Sequence, residues 1–233
     1  MTSLPKLPIT PISELATIRL IPSSSHKPAV MSPLVDDDNE LYILGQFEGL
    51  TNNRLIAMRS GLPGLDKREL AYGTRYGTSH INAAFAYSRP KVGNRFNDDT
   101  RGAWYCAFDC KTAIKEIAYH LIRELDWANA QEDEFIYQEL LAGFIGEFHD
   151  ARKLPRNKGV LGTDPETAYP LGQELARKIM AEGGCGIVYP SVRRPKGTCF
   201  VAFYPQMVQN LRYGARWKLS WNESNKIKAE EIS

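Results

Sequence analysis

Between Gly93 and Tyr119 the chain reads GNRFNDDTRGAWYCAFDCKTAIKEIAY, and three of its residues could do chemistry together. Arg95 is a cation, Tyr105 an aromatic ring, and Glu116, 21 residues after Arg95, a carboxylate. Ser191 joins them later, directly after Tyr189–Pro190. A guanidinium fork donates two parallel hydrogen bonds and so suits a phosphate. A tyrosine face stacks on a flat cationic ring with added cation–π attraction. A carboxylate steadies the positive charge that builds on a sugar as its glycosidic bond breaks. A serine hydroxyl can orient a ribose or an amide. Together these groups are the parts needed to break the nicotinamide–ribose bond of a dinucleotide such as NAD. The same residue types also read as a surface ion pair and a core tyrosine, and spacing alone does not choose.

The elements that must position these groups are legible in outline. Trp104–Phe108 reads as a strand carrying Tyr105. Asp109 stands where a helix N-cap is expected. Ala113, Ile114, Ile117, Ala118, Leu121, Ile122 and Leu125 then recur at spacings of three and four, which predicts an amphipathic helix carrying Glu116. Thr163–Asp164–Pro165 reads as a second helix start, with Pro at the first turn and Gly183–Gly184 at the end. GIVYP at 186–190 and TCFVAFY at 198–204 read as strands joined by a hairpin-like SVRRPKG loop that begins with Ser191. Further strands are expected at Leu15–Ile21, within Glu134–His149 (two strands or one long bent one) and at Tyr213–Trp221. A helix is expected at about 40–50, loops at 22–33 and 60–78, and an apolar element of either type at His80–Tyr87. Strands and helices mix without strict βαβ alternation, so the expected class is α+β.

Other candidates read more plainly. Cys106 and Cys110, with His120 and His149, are the material for a metal site. No second close pair completes a tetrahedral set, so no metal is expected. His120 lies one helical turn after Glu116 and reads as a proton carrier or as a histidine satisfied by the helix end. His80 precedes the INAAFAY element and is a weaker ligand candidate. The basic run Arg193–Lys196, and Arg212, Arg216 and Lys218 with Trp217 and Trp221, read as a solvated loop tip and an edge strand. Arg193, two residues past Ser191, is the exception and is placed near the same cleft.

Bulk properties bound the class. The 233 residues are 43% hydrophobic and 24% charged, ordinary for a globular chain with a core. A net charge of +2 argues against direct nucleic-acid binding or an acidic membrane surface. Four cysteines, Cys106, Cys110, Cys185 and Cys199, form no dense framework and read as reduced thiols, which places the chain in the cytoplasm. Prolines interrupt the first residues, and no apolar run approaches the ~18 residues of a membrane span. The expected layout is an extended arm at 1–14, one domain at 15–221 and a tail at 222–233.

From Thr17 onward the chain resembles the RES-domain family, named for an arginine, a glutamate and a serine. The matching segments are TIRLIPS at 17–23, LTNNRL at 50–55, INAAFAYSRPKVGNRFN at 81–97, WYCAFDCKTAIKEIAYH at 104–120 and DPETAYPLGQ…FVAFYP at 164–205. The resemblance maps the three naming residues onto Arg95, Glu116 and Ser191, and sets Tyr105 at the aromatic position of the central strand. It makes Arg19 a further arginine on the first strand, sharing the phosphates. It implies an ADP-ribosyltransferase-like mixed β core flanked by helices. It also implies consumption of NAD as substrate, and a bacterial toxin neutralised by a helix-turn-helix antitoxin of the Xre type. The first expectation is an NAD glycohydrolase or phosphorylase. The alternatives are a mono-ADP-ribosyltransferase acting on protein and a non-catalytic NAD- or protein-binding module. Two departures stand out: Asn94 precedes Arg95 where the family often has glycine or serine, and the loop 98–102 carries Arg101.

Overall fold

The computed structural model describes residues 4–23, 66–71, 77–86, 93–128, 133–221 and 227–232. The helix expected at about 40–50, the segment at 50–55 and most of the loops at 22–33 and 60–78 lie outside the described residues. Within them the fold is α+β, as the pattern predicts. In chain order the elements are β1 (Ile9–Pro22), α1 (Thr78–Ala86), β2 (Trp104–Ala107), α2 (Cys110–Ala128), β3 (Asp133–Asp150), α3 (Pro165–Ala181), β4 (Gly186–Pro190), β5 (Thr198–Ala202), β6 (Gln209–Trp221) and β7 (Ile227–Ile232). The His80 element is thus helical.

The strands form one sheet in the order β1-β2-β5-β4-β3-β6-β7, and β1 also pairs with β3. Strands β1, β2, β5, β4 and β3 therefore close into a ring, from which β6 and β7 extend. All pairings are antiparallel except β3 with β4. The Glu134–His149 segment is one long strand rather than two. One edge of β3 carries β1, and the other carries β6 as far as Gly143 and β4 at His149–Asp150. Register shifts between Gln138 and Leu140 and between Leu141 and Gly143 let β3 bend from one partner to the next.

Strand alternation sorts the apolar side chains onto two faces. Ile187, Tyr189, Cys199 and Val201 join a core with Leu121 of α2 and Leu175 and Ile179 of α3. Val188, Phe200 and Ala202 point the other way, to Phe85 of α1, Trp104, Phe144 and Phe148. Both faces of β4 and β5 are covered, so these strands read as continuous apolar runs. Full burial of each such side chain contributes about 1.5–3 kcal/mol.

The helices begin and end where their signals stand. Asp109 caps α2: its Oδ1 accepts from Thr112 N at 2.9 Å and its Oδ2 from Thr112 Oγ1 at 2.7 Å. Asp164 caps α3 by accepting from Glu166 N at 3.1 Å, and Pro165 opens the first turn. Gly183 follows α3 at φ +82, a left-handed stop that glycine adopts without a steric penalty.

Both chain ends depart from expectation. Residues expected as an arm enter the sheet from Ile9, where Ile9–Ile12 pair with His149–Gly146. Proline is tolerated there because this half of β1 has a partner on one side only. Residues expected as a tail supply β7, whose Ile227 and Ala229 alternate onto the core. Strand β6 likewise begins at Gln209, four residues before the expected start. Among the described residues, no helix is long and apolar enough to cross a membrane.

Candidate active site

Glu116 lies in the second turn of α2, and its Oε1 is held from below. Ser191 Oγ donates to it at 2.5 Å and the Cys199 thiol approaches it at 3.7 Å. Ser191 follows β4 and is fully buried. Its own oxygen accepts from the backbone N–H groups of Arg193 at 3.2 Å and Arg194 at 2.9 Å. With both donors aimed at Oγ, the hydroxyl hydrogen is left for Glu116. The turn is pinned to the start of α2, because Arg194 Nη1 donates to Asp109 Oδ2 at 3.1 Å and Thr112 Oγ1 at 2.9 Å. Arg194 and the cap of α2 thus set the distance between Ser191 and Glu116. Glu116 Oε2 takes no hydrogen bond among the described residues.

Arg95 sits in a tight turn closed by Asn94 N donating to Asn97 O at 2.8 Å. Its Nη1 donates to the carbonyls of Val160 at 2.7 Å and Gly162 at 3.0 Å, and its guanidinium lies 5.3 Å from the Tyr169 ring centroid on α3. Tyr105 fixes the same turn to β2. Its hydroxyl accepts from Phe96 N and donates to Asn97 Oδ1, both at 2.9 Å. Burial pushes the Tyr105 phenol well above its usual range, so it stays protonated. Arg19, from β1, donates to Tyr105 O at 3.2 Å and lies 5.0 Å from the Trp104 ring. Loss of solvent pulls its guanidinium down to about 10, which leaves it charged at neutral pH. Neither arginine pairs with a carboxylate among the described residues.

Arg19, Arg95, Tyr105 and Glu116 line one cavity of about 290 Å³. His120 and Arg193, both singled out by spacing, line it too. Arg193 stacks 3.3 Å from the Tyr119 ring centroid and donates to Thr163 O at 3.3 Å, so it ties the Ser191 loop to α2 and to the start of α3. Burial depresses its pKa. Three guanidinium groups and one carboxylate give the cavity a cationic wall.

Two expectations change. Ser191 was expected against the ligand, but it does not line the cavity and spends its hydroxyl on Glu116. His80 lies elsewhere: its Nε2 and the Tyr213 hydroxyl are 2.8 Å apart on an exposed surface. Arg101 gains a place as a brace, donating to Glu69 Oε2 at 3.1 Å and Phe203 O at 2.6 Å. Among the described residues, no group of three or more His, Cys, Asp or Glu side chains converges as a metal site. Cys106 is buried, with its thiol pushed up to about 12 by lost hydration.

Sequence reasoning missed Tyr169, Tyr189 and Cys199, which line the same cavity. Tyr189 carried a usable signal. It stands near the end of β4, two residues before Ser191.

Residues 71–222, well over half of the chain, match the RES domain. The chain belongs to the RES-domain family. The RES match encloses Arg95, Tyr105, Glu116 and Ser191, whereas Arg19 reaches the cavity from β1, outside the matched residues. No curated protein matches this RES-domain chain. A solved structure similar to it is the crystal structure of the M. tuberculosis MbcT–MbcA toxin–antitoxin complex, at 12% identity and a TM-score of 0.42, over 93% of this chain and 88% of that one.

Proposed function

We propose that this RES-domain protein is an NAD-consuming toxin that cleaves the nicotinamide–ribose bond. One observation carries the reading: Glu116 shares a single cavity wall with Arg19, Arg95 and Tyr105. A buried guanidinium, Arg95, and a half-buried one, Arg19, without carboxylate partners favour an anionic ligand, since burying an uncompensated charge is costly. The cavity volume lies near the lower end for small-molecule sites, about 300 Å³. It takes the nicotinamide-ribose end, while the adenosine half extends beyond it.

In this reading Arg95 and Arg19 bind the pyrophosphate and Tyr105 stacks against nicotinamide. Glu116 Oε2 accepts from a ribose hydroxyl and lies close to C1′. As the C1′–N bond breaks, its electron pair leaves with neutral nicotinamide, and positive charge develops on the ribose. The Glu116 carboxylate stabilises that charge, and water or inorganic phosphate adds to C1′. Ser191 is a positioning residue that holds Glu116 Oε1 and frees Oε2. NAD is the substrate in this scheme, and no step uses a metal.

The RES resemblance extends the proposal to regulation: in the cytoplasm a helix-turn-helix antitoxin of the Xre type neutralises the toxin. Expression of the chain without such a partner should stop growth and lower cellular NAD, while Glu116→Gln should fold and leave NAD intact. NAD falling equally fast in cells making Glu116→Gln would overturn the assignment. A radiolabelled adenylate moiety appearing on protein, instead of in free ADP-ribose or its 1″-phosphate, would shift the acceptor to a protein side chain.

A further inference from the structure

Tyr189 is only 7% exposed, yet its hydroxyl makes no hydrogen bond among the described residues. What remains exposed belongs to the cavity, which Tyr189 lines beside Arg95 and Glu116. The contrast with Tyr105 is sharp, because that hydroxyl is engaged twice. The oxygen is not among the sealed polar atoms that lack a partner, so it opens to the cavity and is free to bond a ligand there. Tyr189→Phe would keep the ring packing and break no hydrogen bond within the protein, so the oxygen adds nothing evident to the unliganded fold.

Its place in the sheet narrows what that is. Tyr189 pairs across β4–β5 with Cys199, whose thiol approaches Glu116 Oε1 at 3.7 Å. Two residues on, Ser191 donates to the same oxygen. The ring is fixed edge-on to Phe96, with centroids 5.0 Å apart, beside the turn that holds Arg95. Burial, reinforced by Cys199 and Glu116, keeps the phenol protonated and therefore a donor. Next to it, Glu116 can only accept. A sugar hydroxyl satisfies both at once, because it accepts from one neighbour while donating to the other.

We infer that the Tyr189 hydroxyl donates to the same ribose hydroxyl oxygen whose proton Glu116 accepts, so that Tyr189 selects a ribose over a deoxyribose. The inference rests on the NAD-cleaving reading above and names the residue that recognises the sugar in it. A site that hydrogen-bonds a hydroxyl discriminates strongly against ligands lacking it.

The test compares nicotinamide release by wild type and Tyr189→Phe from NAD and from analogues lacking the 2′- or the 3′-hydroxyl of the nicotinamide ribose. We expect kcat/KM on NAD to fall about 10- to 100-fold in Tyr189→Phe. On one of the two analogues the variant should match wild type. The unliganded variant should melt at the same or a higher temperature. An unchanged kcat/KM on NAD overturns the inference, and so does an equal loss on NAD and both analogues. A lower melting temperature also overturns it, since the hydroxyl would then have an internal partner. Release of nicotinamide by wild type with no effect of Tyr189→Phe leaves the NAD-cleaving reading standing. No release by wild type removes both.

Discussion

Ser191 Oγ donates to Glu116 Oε1 at 2.5 Å across 75 residues of sequence, and the same oxygen accepts two backbone N–H groups. The serine thus converts a turn after β4 into a support for a helical carboxylate. It orients one carboxylate oxygen and leaves the other for the cavity.

This arrangement predicts how Ser191→Ala should behave. The substitution strands two N–H groups and one carboxylate oxygen, and should lower stability by about 1–3 kcal/mol in urea unfolding. Because Ser191 does not line the cavity, nicotinamide release should lose kcat while KM for NAD changes little. A raised KM with unchanged kcat would place the serine on the ligand instead.

Gly172 on α3 sets the position of Arg95. A Cβ there would collide with Arg95 O and crowd its Cγ. Gly172→Ala should force α3 away from the Arg95 turn and destabilise the fold by about 1–3 kcal/mol. It should also weaken NAD binding, because Tyr169 on the same helix packs against the guanidinium. Thermal unfolding and titration with NAD check both effects. Unchanged stability would mean that the helix and turn are not in close contact.

His149 supplies a pH dependence. Lost hydration lowers its pKa from the usual 6.5, outweighing the attraction of Glu182. The folded state therefore binds its proton less readily than the unfolded chain. The stabilisation is fully present above pH 6.5 and is lost as pH falls through the lowered value. Melting temperatures of wild type and His149→Asn should diverge less at pH 5 than at pH 7.5. Asp150, whose carboxyl is held low mainly by its hydrogen bond from Arg152, titrates below this window and leaves it uncontaminated. A difference that grows on acidification would reverse the sign.

Local signals carried much of the fold and part of the site. Asp109, Asp164 with Pro165, and Gly183 mark helix boundaries through chemistry confined to a few neighbouring residues. The 3.6-residue period of α2 put Glu116 and His120 on one face, and both line the cavity. Long-range pairing was not legible. That Ile9–Ile12 and Ile227–Ile232 are strands depends on the free edges of β3 and β6, which no local pattern announces. The role of Ser191 depends on how its turn is pinned to α2, and that of Tyr189 on its register with Cys199. Family resemblance located the serine without showing which way its hydroxyl is turned.

The central claim is that Glu116 acts on the nicotinamide–ribose bond. The direct measurement incubates purified wild type and Glu116→Gln with NAD, with and without inorganic phosphate, and quantifies free nicotinamide. Wild type should release nicotinamide, and Glu116→Gln should do so at least about 100-fold more slowly while melting at a similar temperature. Equal release by a folded Glu116→Gln protein, or none by wild type under either condition, would contradict the account.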